Sequence, residues 1–432
     1  MLARPAVYVL PGLRSPFSKV DRGLGRLDGL KLSVPVVQQT VVGARGVGPD
    51  ASGDIDLVIW GSVIPTLAVA NWGREVWLDA RLDPRVPSLT VVQQCATSLA
   101  AATLAAGQIR TGHAGLALCG GVESMSSTQV GLSRSLSRKI RRAGSARGPV
   151  EAAKTLLGIR PSDLRLSVPA VEERTTGKSM GEHTEEMARD WDVSRAEQDE
   201  YAVASHRRAV AAAERGFFRP LLVTPGTFPV DADDIPRADT SVEALSKLSP
   251  AFDRERGTLT AGNSSPLTDG AACCWVADEE GAQRLPGDLP RVRLLDWETA
   301  GVDPRTEALL IGPAIAVPRM LARHGLRYED VGLWEIHEAF AAQVLATIRA
   351  LEDAAWVRER AGVSEPMGTF PRERVNPNGG SVALGHPFAA TGARILSQAA
   401  LELSGLPAGT RAVVSICAAG GLGHVALLES VG

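Results

Sequence analysis

The chain has 432 residues, 44% of them hydrophobic and 22% charged, with a formal net charge of −3. That composition supports an extensive core divided over more than one domain and gives no global argument for nucleic-acid binding. No apolar run approaches the roughly 20 residues of a membrane-spanning helix, the opening MLARPAVYVLPGLRSPF lacks a signal-peptide pattern, and five Cys without a CxxC pair fit a reducing compartment better than disulfides or a zinc site. The expectation is a soluble, cytoplasmic globular protein with no transmembrane segment, no nucleic-acid partner and no metal.

In chain order, Ala6 to Leu10 reads as a first strand, followed by a loop leading into a helix. Gly23 and Gly25 in that loop form a Gly-x-Gly without the strand–turn–helix setting of a dinucleotide fingerprint. Ile55 to Trp60 reads as a strand and Asn71 to Ala80 as the next helix. The most informative stretch is Thr90 to Gly107, TVVQQCATSLAAATLAAG. Val91 and Val92 look like the end of a buried strand, and Ala96 to Gln108 like a helix with no charge on any face, which has to be buried. Cys95 would then stand at a helix N-terminus, where free N–H groups and the macrodipole favour an anion. A lowered thiol pKa and a nucleophilic role are predicted, against the plainer reading of an inert core cysteine. GLALCGGVESMS follows as a short strand with Cys119 as a core residue.

Between Gly131 and Arg147, GLSRSLSRKIRRAGSAR carries six cations and no acid. Such a run is most simply a solvated face; the functional alternative is an anion site for a phosphate-bearing ligand, an acidic partner or a lipid surface. Ser194 and Glu197 have capping-box spacing ahead of an amphipathic helix, with His206 expected on its surface. DADDIPRADTSVEALSKLSPAF has the Pro and Asp content of a loop. Residues 131–250 therefore read as an insertion between two strand-rich halves. Ala271 to Val276 reads as a strand with Cys273 and Cys274 alternating across it. LWEI is then a strand ending at His337 before a helix, NPNGGSVALGHPFAATGAR a Gly-rich loop carrying His386 before another helix, and RAVVSIC a strand ending at Cys417 in a hairpin.

Cys95, His337, His386 and Cys417 each fall where a strand or Gly-rich loop meets the next element, the usual position of active-site groups. Singly each has an ordinary structural explanation, as a core thiol, a helix start or a loop histidine. As a set they form a candidate site.

The blocks QQCATS, AGNSSPLTDGAA, HEAF, GGSVALGHPFAATGAR and CAAGGLGH, in this order over essentially the whole chain, resemble the thiolases. HEAF, CAAGGLG and MGEHTEEMA are similar to the branch that contains the thiolase (β) subunits of fatty-acid oxidation complexes. Two departures stand out: Ala389 replaces the usual Gly after GHPF, where it would narrow the acyl pocket, and Ala418 and Ala419 replace glycines after Cys417. The resemblance implies an α/β thiolase fold, two similar βαβαβαββ halves in five α-β-α-β-α layers. Residues 1–130 and 251–285 would form the N-terminal half, 131–250 an inserted CoA-binding lid and 286–432 the C-terminal half.

It also implies a 3-ketoacyl-CoA thiolase of β-oxidation. Cys95 would attack the keto carbon and hold the shortened acyl group, His386 would take the thiol proton, and Cys417 would protonate the departing acetyl-CoA enolate. His337 and His386 would donate to the enolate oxygen; the backbone N–H groups of Cys95 and Ala419 would form a second oxyanion hole. Ser265 and Met180 correspond to CoA contacts, and basic residues of the insertion suit the nucleotide phosphates. Coenzyme A is expected as co-substrate with no permanently bound cofactor, and a homodimer or homotetramer is expected, with a hydratase/dehydrogenase α subunit as a further partner that would dock on Gly131 to Arg147. The competing readings are a biosynthetic acetoacetyl-CoA thiolase, a decarboxylating ketoacyl synthase, against which Cys417 and HEAF argue, and a catalytically silent CoA or lipid carrier or complex scaffold on the same fold.

Overall fold

A computed structural model describes residues 5–45, 53–167 and 172–432. Among the described residues, nine strands form the path of one ten-stranded sheet: β1 (Tyr8–Arg14), β2 (Leu57–Gly61), β3 (Ser88–Thr90), β4 (Leu116–Glu123), β5 (Thr268–Ala277), β6 (Val292–Gly301), β7 (Leu333–Ile336), β8 (Arg411–Ala418) and β9 (Leu422–Ser430), in the order β7-β8-β9-β6-β1-β5-β4-β2-β3, with the short strand Ser18–Lys19 pairing with β5 off this path. Every residue of β2, β4 and β5 is buried, which is why these strands read as unbroken apolar runs and not as alternating ones.

The path contains the same pattern twice. In the first half β2 runs parallel to β3 and to β4, β4 pairs antiparallel with β5, and β5 antiparallel with β1. In the second, β7 runs parallel to β8, β8 pairs antiparallel with β9, and β9 antiparallel with β6. A single parallel bridge from Trp334 to Val375 stands where β3 stands in the first half. The halves join through Tyr8 and Val9 of β1, opposite Arg293 and Val292 of β6.

Helices α1 (Gly29–Arg45), α2 (Trp72–Asp79), α3 (Thr97–Arg110), α4 (Arg134–Gly144), α5 (Pro149–Leu157), α6 (Met180–Asp190), α7 (Arg195–Glu214), α8 (Gly312–Arg323), α9 (Ala341–Glu352) and α10 (Thr391–Ser404) complete the frame. The α-β-α-β-α layering expected from the sequence centres on α3 and α10. Their alanines and leucines share one core with β-strand residues of both halves, among them Ile59, Cys119 and Cys274 from the first and Val414 and Ala426 from the second. The two helices touch at their first turns: Ala393 N donates to Ser98 Oγ at 2.7 Å. A Cβ on Gly392 would lie 2.5 Å from Leu99 N, so only glycine permits this approach. A second core, built from α8, α9 and β7, covers the other face of the C-terminal half.

Several sequence expectations shift. The first strand runs from Tyr8 to Arg14, starting two residues and ending four residues later than the apolar run Ala6 to Leu10, because its partner β5 continues alongside it. Val91 and Val92 are not strand: β3 stops at Thr90 and Val92 is exposed, since the chain has to turn at Gln93 and Gln94 to enter α3. The capping box of Ser194 and Glu197 forms as expected. His206 on α7, expected at the surface, is buried; its Nδ1 accepts from Arg237 N at 3.2 Å, and the Asp-rich segment is what covers it. That segment is anchored, with Asp233 receiving both guanidinium nitrogens of buried Arg14 at 2.6 and 2.7 Å.

The described residues separate into two compact units, Ile64–Ala70 with Thr128–Val171 in the smaller and the remainder, including α6 and α7, in the larger. In the smaller unit Gly131–Leu132 pairs antiparallel with Leu166–Ser167. Ser133 caps α4, and Asp163 gathers Lys139, Ser135 and the N–H of Arg160, which hold its carboxyl well below the usual range. Leu136 is the one buried residue of α4, and α5 has none.

Candidate active site

Cys95 and His386 are presented the same way, each directly after a residue in left-handed backbone. Gln94 has φ +46° and Gly385 φ +92°, conformations that turn the chain sharply at a helix entry. The Cys95 turn is held by Thr97, whose Oγ1 accepts from Gln93 N at 2.9 Å and donates to Gln94 O at 2.7 Å. From β9, His424 Nδ1 meets Gln93 Oε1 at 2.7 Å, tying the C-terminal half to this turn. At Gly385 a Cβ would sit 2.7 Å from Thr268 Oγ1, the same hydroxyl that accepts from His386 N at 3.0 Å.

His337 continues β7, its N–H donating to Ser415 O of β8 at 2.8 Å. The next residue, Glu338, is buried and accepts from Tyr201 and Ser205 hydroxyls, Asn376 Nδ2 and Val382 N at 2.7 to 3.1 Å. A carboxylate that receives four donors is an anchor, which accounts for the Glu of HEAF.

These elements bring Cys95 Sγ and one ring nitrogen each of His337 and His386 within 4.8 Å of one another. The imidazole centroids are 4.1 Å apart, inclined at 46°. Each ring is held through Nδ1, His337 by Ser381 Oγ at 2.9 Å and His386 by Thr391 Oγ1 at 2.6 Å. Both Nε2 atoms are buried with no protein partner, which leaves them to a ligand. Cys417 ends β8 beside Cys95; burial and the neighbouring sulfur push its thiol well up. The three donors Cys95, His337 and His386 are also the grouping among the described residues suited to a metal ion, one ligand short of a closed four-coordinate zinc site.

The electrostatics differ from the sequence expectation. The Cys95 thiol is not lowered but pushed up to about 12, because burial outweighs the backbone N–H groups of Ala419 and of Cys95 itself, which pull the other way. A 3₁₀ turn over Gln94–Ala96 also separates the cysteine from the start of α3, and the helix dipole acts only over its first turn. Burial brings His386 down to about 3, with the Arg394 cation adding to it, and holds His337 well below its usual value, with His386 and Arg394 adding to it. The resting pair is therefore a neutral thiol and a neutral imidazole.

Arg394, on α10, is itself fully buried and stays charged at neutral pH although burial lowers it to about 10. Its Nη2 donates to Ser381 Oγ at 2.8 Å. A guanidinium only donates, so the serine proton is left for His337 Nδ1, and the His337 ring carries its own proton on Nε2. Behind it, Glu335 accepts from Gln398 and is pushed up to about 8 by burial, while Glu335, Glu338 and Asp233 all favour the charge on Arg394.

Of the other sequence-derived candidates, Ser265 packs under the HEAF turn, its Oγ donating to Ala339 O at 2.9 Å. Met180 opens α6 and is partly buried. Ala419 directs its N–H to the Cys95 sulfur. Ala389 packs its Cβ against Gly121 of β4. Cys119, Cys273 and Cys274 are buried strand residues, and the last two do face opposite sides: Cys273 meets Thr40, Cys274 the central core. Ser381, Thr391 and Arg394 were not identified from sequence as site residues. All three lie within the quoted GGSVALGHPFAATGAR block, but nothing in a linear pattern shows that they hold the rings of His337 and His386.

Comparison with known proteins matches the thiolase N-terminal domain to residues 7–280 and the thiolase C-terminal domain to residues 289–430. The chain is 35% identical to a 3-ketoacyl-CoA thiolase of Erwinia tasmaniensis and 36% identical to one of Pectobacterium carotovorum, in each case over 98% of this chain and 96% of the relative. Among solved structures, a Bacillus anthracis acetyl-CoA acetyltransferase superposes with a TM-score of 0.81 at 31% identity, covering 100% of both chains. A human mitochondrial 3-ketoacyl-CoA thiolase superposes with a TM-score of 0.81 at 28% identity over 99% of each chain, and the Acat5 thiolase of Ascaris suum in complex with coenzyme A with 0.80 at 27% over 99% of this chain and 100% of that one.

Proposed function

The chain belongs to the thiolase family, and from that premise we propose that it is a 3-ketoacyl-CoA thiolase, an acyltransferase that cleaves 3-ketoacyl-CoA with CoA to acetyl-CoA and a shortened acyl-CoA. The observation that carries this reading is the convergence of the Cys95 sulfur with two buried, unpartnered imidazole nitrogens.

In the first half-reaction Cys95 Sγ bonds to the keto carbon while its proton passes to His386 Nε2. With the thiol near 12 and the imidazole near 3, a preformed ion pair is disfavoured, so proton transfer and attack proceed together. The tetrahedral alkoxide is met by the backbone N–H groups of Cys95 and Ala419. The C2–C3 bond then breaks, its electron pair passing into the acetyl-CoA enolate, whose oxygen takes the hydrogen bond of His337 Nε2–H. Cys417 gives its proton to C2, and acetyl-CoA leaves. In the second half, CoA sulfur attacks the acyl-Cys95 carbonyl, its proton restores Cys417, and His386 returns the first proton to Cys95. Arg394 adds a fixed positive potential behind both rings, favouring the negative transition states.

For the co-substrate we assign Ser265 and Met180 to CoA, with residues 131–250 as the inserted domain that covers it. Residues 1–130 with 251–285 and residues 286–432 form the two halves. A cavity of about 200 Å³ against the same loop is lined by Lys19, Arg22 and Arg237 with Ala261 and Ser264; these cations suit the phosphates. We read the enzyme as a cytoplasmic homodimer or homotetramer acting in β-oxidation, with a hydratase/dehydrogenase subunit as its partner.

The test is CoA-dependent thiolysis over 3-ketoacyl-CoAs of roughly four to sixteen carbons, followed as loss of Mg²⁺-enolate absorbance. A maximum at some chain length supports the reading and defines the substrate. Folded protein that binds CoA yet cleaves none of them would overturn it.

A further inference from the structure

The three groups that meet around the substrate carbonyl also form a set of metal donors. Among the described residues, Cys95, His337 and His386 are the grouping whose ligand atoms all lie within 4.8 Å of one another. One sulfur and two imidazole nitrogens, with no carboxylate, make a soft set that suits Zn²⁺ and not Mg²⁺ or Ca²⁺. Both histidines are buried, and Cys95 is only partly so, which leaves the sulfur reachable by an ion.

The rings are held as ligating histidines are. Each Nε2 is buried without a protein partner, and each Nδ1 is tied to a hydroxyl, Ser381 for His337 and Thr391 for His386. A hydrogen bond at the far ring nitrogen fixes the orientation of a metal-bound imidazole and raises its basicity. His386, in the tautomer a general base needs, donates from Nδ1 to Thr391 and carries its lone pair on Nε2. His337 has to move its proton from Nε2 to Nδ1. Ser381 Oγ, with two lone pairs, then accepts from that ring and from Arg394 together. Bonds of about 2.3 Å to sulfur and about 2.0 Å to nitrogen set tetrahedral ligand separations of roughly 3.3 to 3.6 Å. The cluster therefore has to close by at most about 1.5 Å, within reach of a χ1 rotation of Cys95 and small tilts of the rings.

We propose that this cluster is an inhibitory Zn²⁺ site, with Cys95 Sγ, His337 Nε2 and His386 Nε2 as its protein ligands and the fourth position left to solvent. On binding, a Zn–S bond forms, the thiol proton passes to solvent, and nothing is oxidised or reduced. One ion then occupies the nucleophile, the base and the donor to the enolate oxygen, so the metal-bound chain does not attack a keto carbon. That inhibition rests on the thiolase reading above; the binding does not. The Arg394 cation opposes a second positive charge nearby, which with the open fourth position places the Kd on the order of 1 µM, weaker than closed structural zinc sites.

The experiment titrates the full, reduced chain with Co²⁺ and then with Zn²⁺ in the absence of oxygen. One equivalent of Co²⁺ is expected to give a sulfur-to-cobalt charge-transfer band and the intense visible bands of a tetrahedral ion, both removed by Zn²⁺. Cys95→Ser should lose the charge-transfer band. Thr391→Val, which takes away the hydrogen bond at His386 Nδ1, should weaken Zn²⁺ binding about tenfold, and His386→Gln by about 10² or more. In the unsubstituted chain, one equivalent of Zn²⁺ should protect Cys95 from iodoacetamide, read by mass spectrometry, and EDTA should restore alkylation. Thiolysis should stop at the same equivalence point and return with EDTA. A charge-transfer band that is absent or survives Cys95→Ser, Zn²⁺ affinity indifferent to His386→Gln, Cys95 alkylated equally with and without Zn²⁺, or thiolysis undiminished with the ion bound would overturn the proposal. A chain that shows every binding signature yet cleaves no 3-ketoacyl-CoA even without metal would uphold the zinc site and overturn the thiolase reading alone.

Discussion

Ser381 Oγ stands 2.9 Å from His337 Nδ1 and takes a hydrogen bond from Arg394 at 2.8 Å. The serine therefore passes the orientation of a buried cation to an imidazole, fixing its tautomer with Nε2–H toward the Cys95 side. Replacing Ser381 by Ala removes that control and leaves a buried Arg394 nitrogen without its acceptor. Thiolysis kcat is expected to fall about tenfold or more, and His337→Ala by about 10² to 10³, the range for one oxyanion donor. Alkylation of Cys95 by iodoacetamide should stay within twofold of wild type in Ser381→Ala. Equal loss of both would assign Ser381 to structure alone.

The two cysteines separate by half-reaction. Cys95→Ala should form no acyl adduct with any acyl-CoA. Cys417→Ser should still acylate Cys95 from a simple acyl-CoA but lose cleavage and α-proton exchange of acetyl-CoA by about 10² or more. Mass spectrometry of the adduct and deuterium exchange read the two steps independently. An adduct on another cysteine would contradict the assignment.

The pH behaviour of the free enzyme follows from the thiol near 12 and the imidazole near 3. Across neutral pH neither group changes charge, so alkylation of Cys95 should climb with pH through pH 6 to 9, in proportion to thiolate. A plateau beginning below pH 6 would mean a preformed thiolate–imidazolium pair.

Acid should destabilise the fold. His206 and His424 are brought down to about 4 by burial, and His386 to about 3. The folded state prefers neutral rings that the unfolded chain protonates near 6.5. The stability they contribute is complete above that value and is lost as pH falls toward the folded values, by about 2 kcal/mol per histidine at pH 5. Thermal melts should show Tm dropping between pH 7 and 5, with His206→Gln dropping less steeply. A Tm independent of pH over that interval would place these rings in contact with solvent.

The blocks at Cys95, His337, His386 and Cys417 were legible because each sits in a local pattern, a strand end followed by a glycine turn or a small-residue helix. The alternation of apolar runs and helical periods likewise gave the α/β class, and the burial of α3 followed from a helix of alanines without a charged face. His206 was misread for the converse reason: α7 is charged along its length, and what buries that ring is the Asp233–Arg237 segment, some thirty residues away in sequence.

By itself, then, the sequence determined the class of fold, the family and the four candidate side chains proposed for the site, since these depend on residue type and near-neighbour spacing. The tertiary structure decided their chemistry. Whether Cys95 is a thiolate or a thiol depends on how much solvent the surrounding halves exclude, and here desolvation exceeds what a helix terminus supplies. Which nitrogen of His337 carries the proton depends on Arg394 reaching Ser381 from a different helix. Both are consequences of contacts across long sequence separations, and no local pattern encodes them.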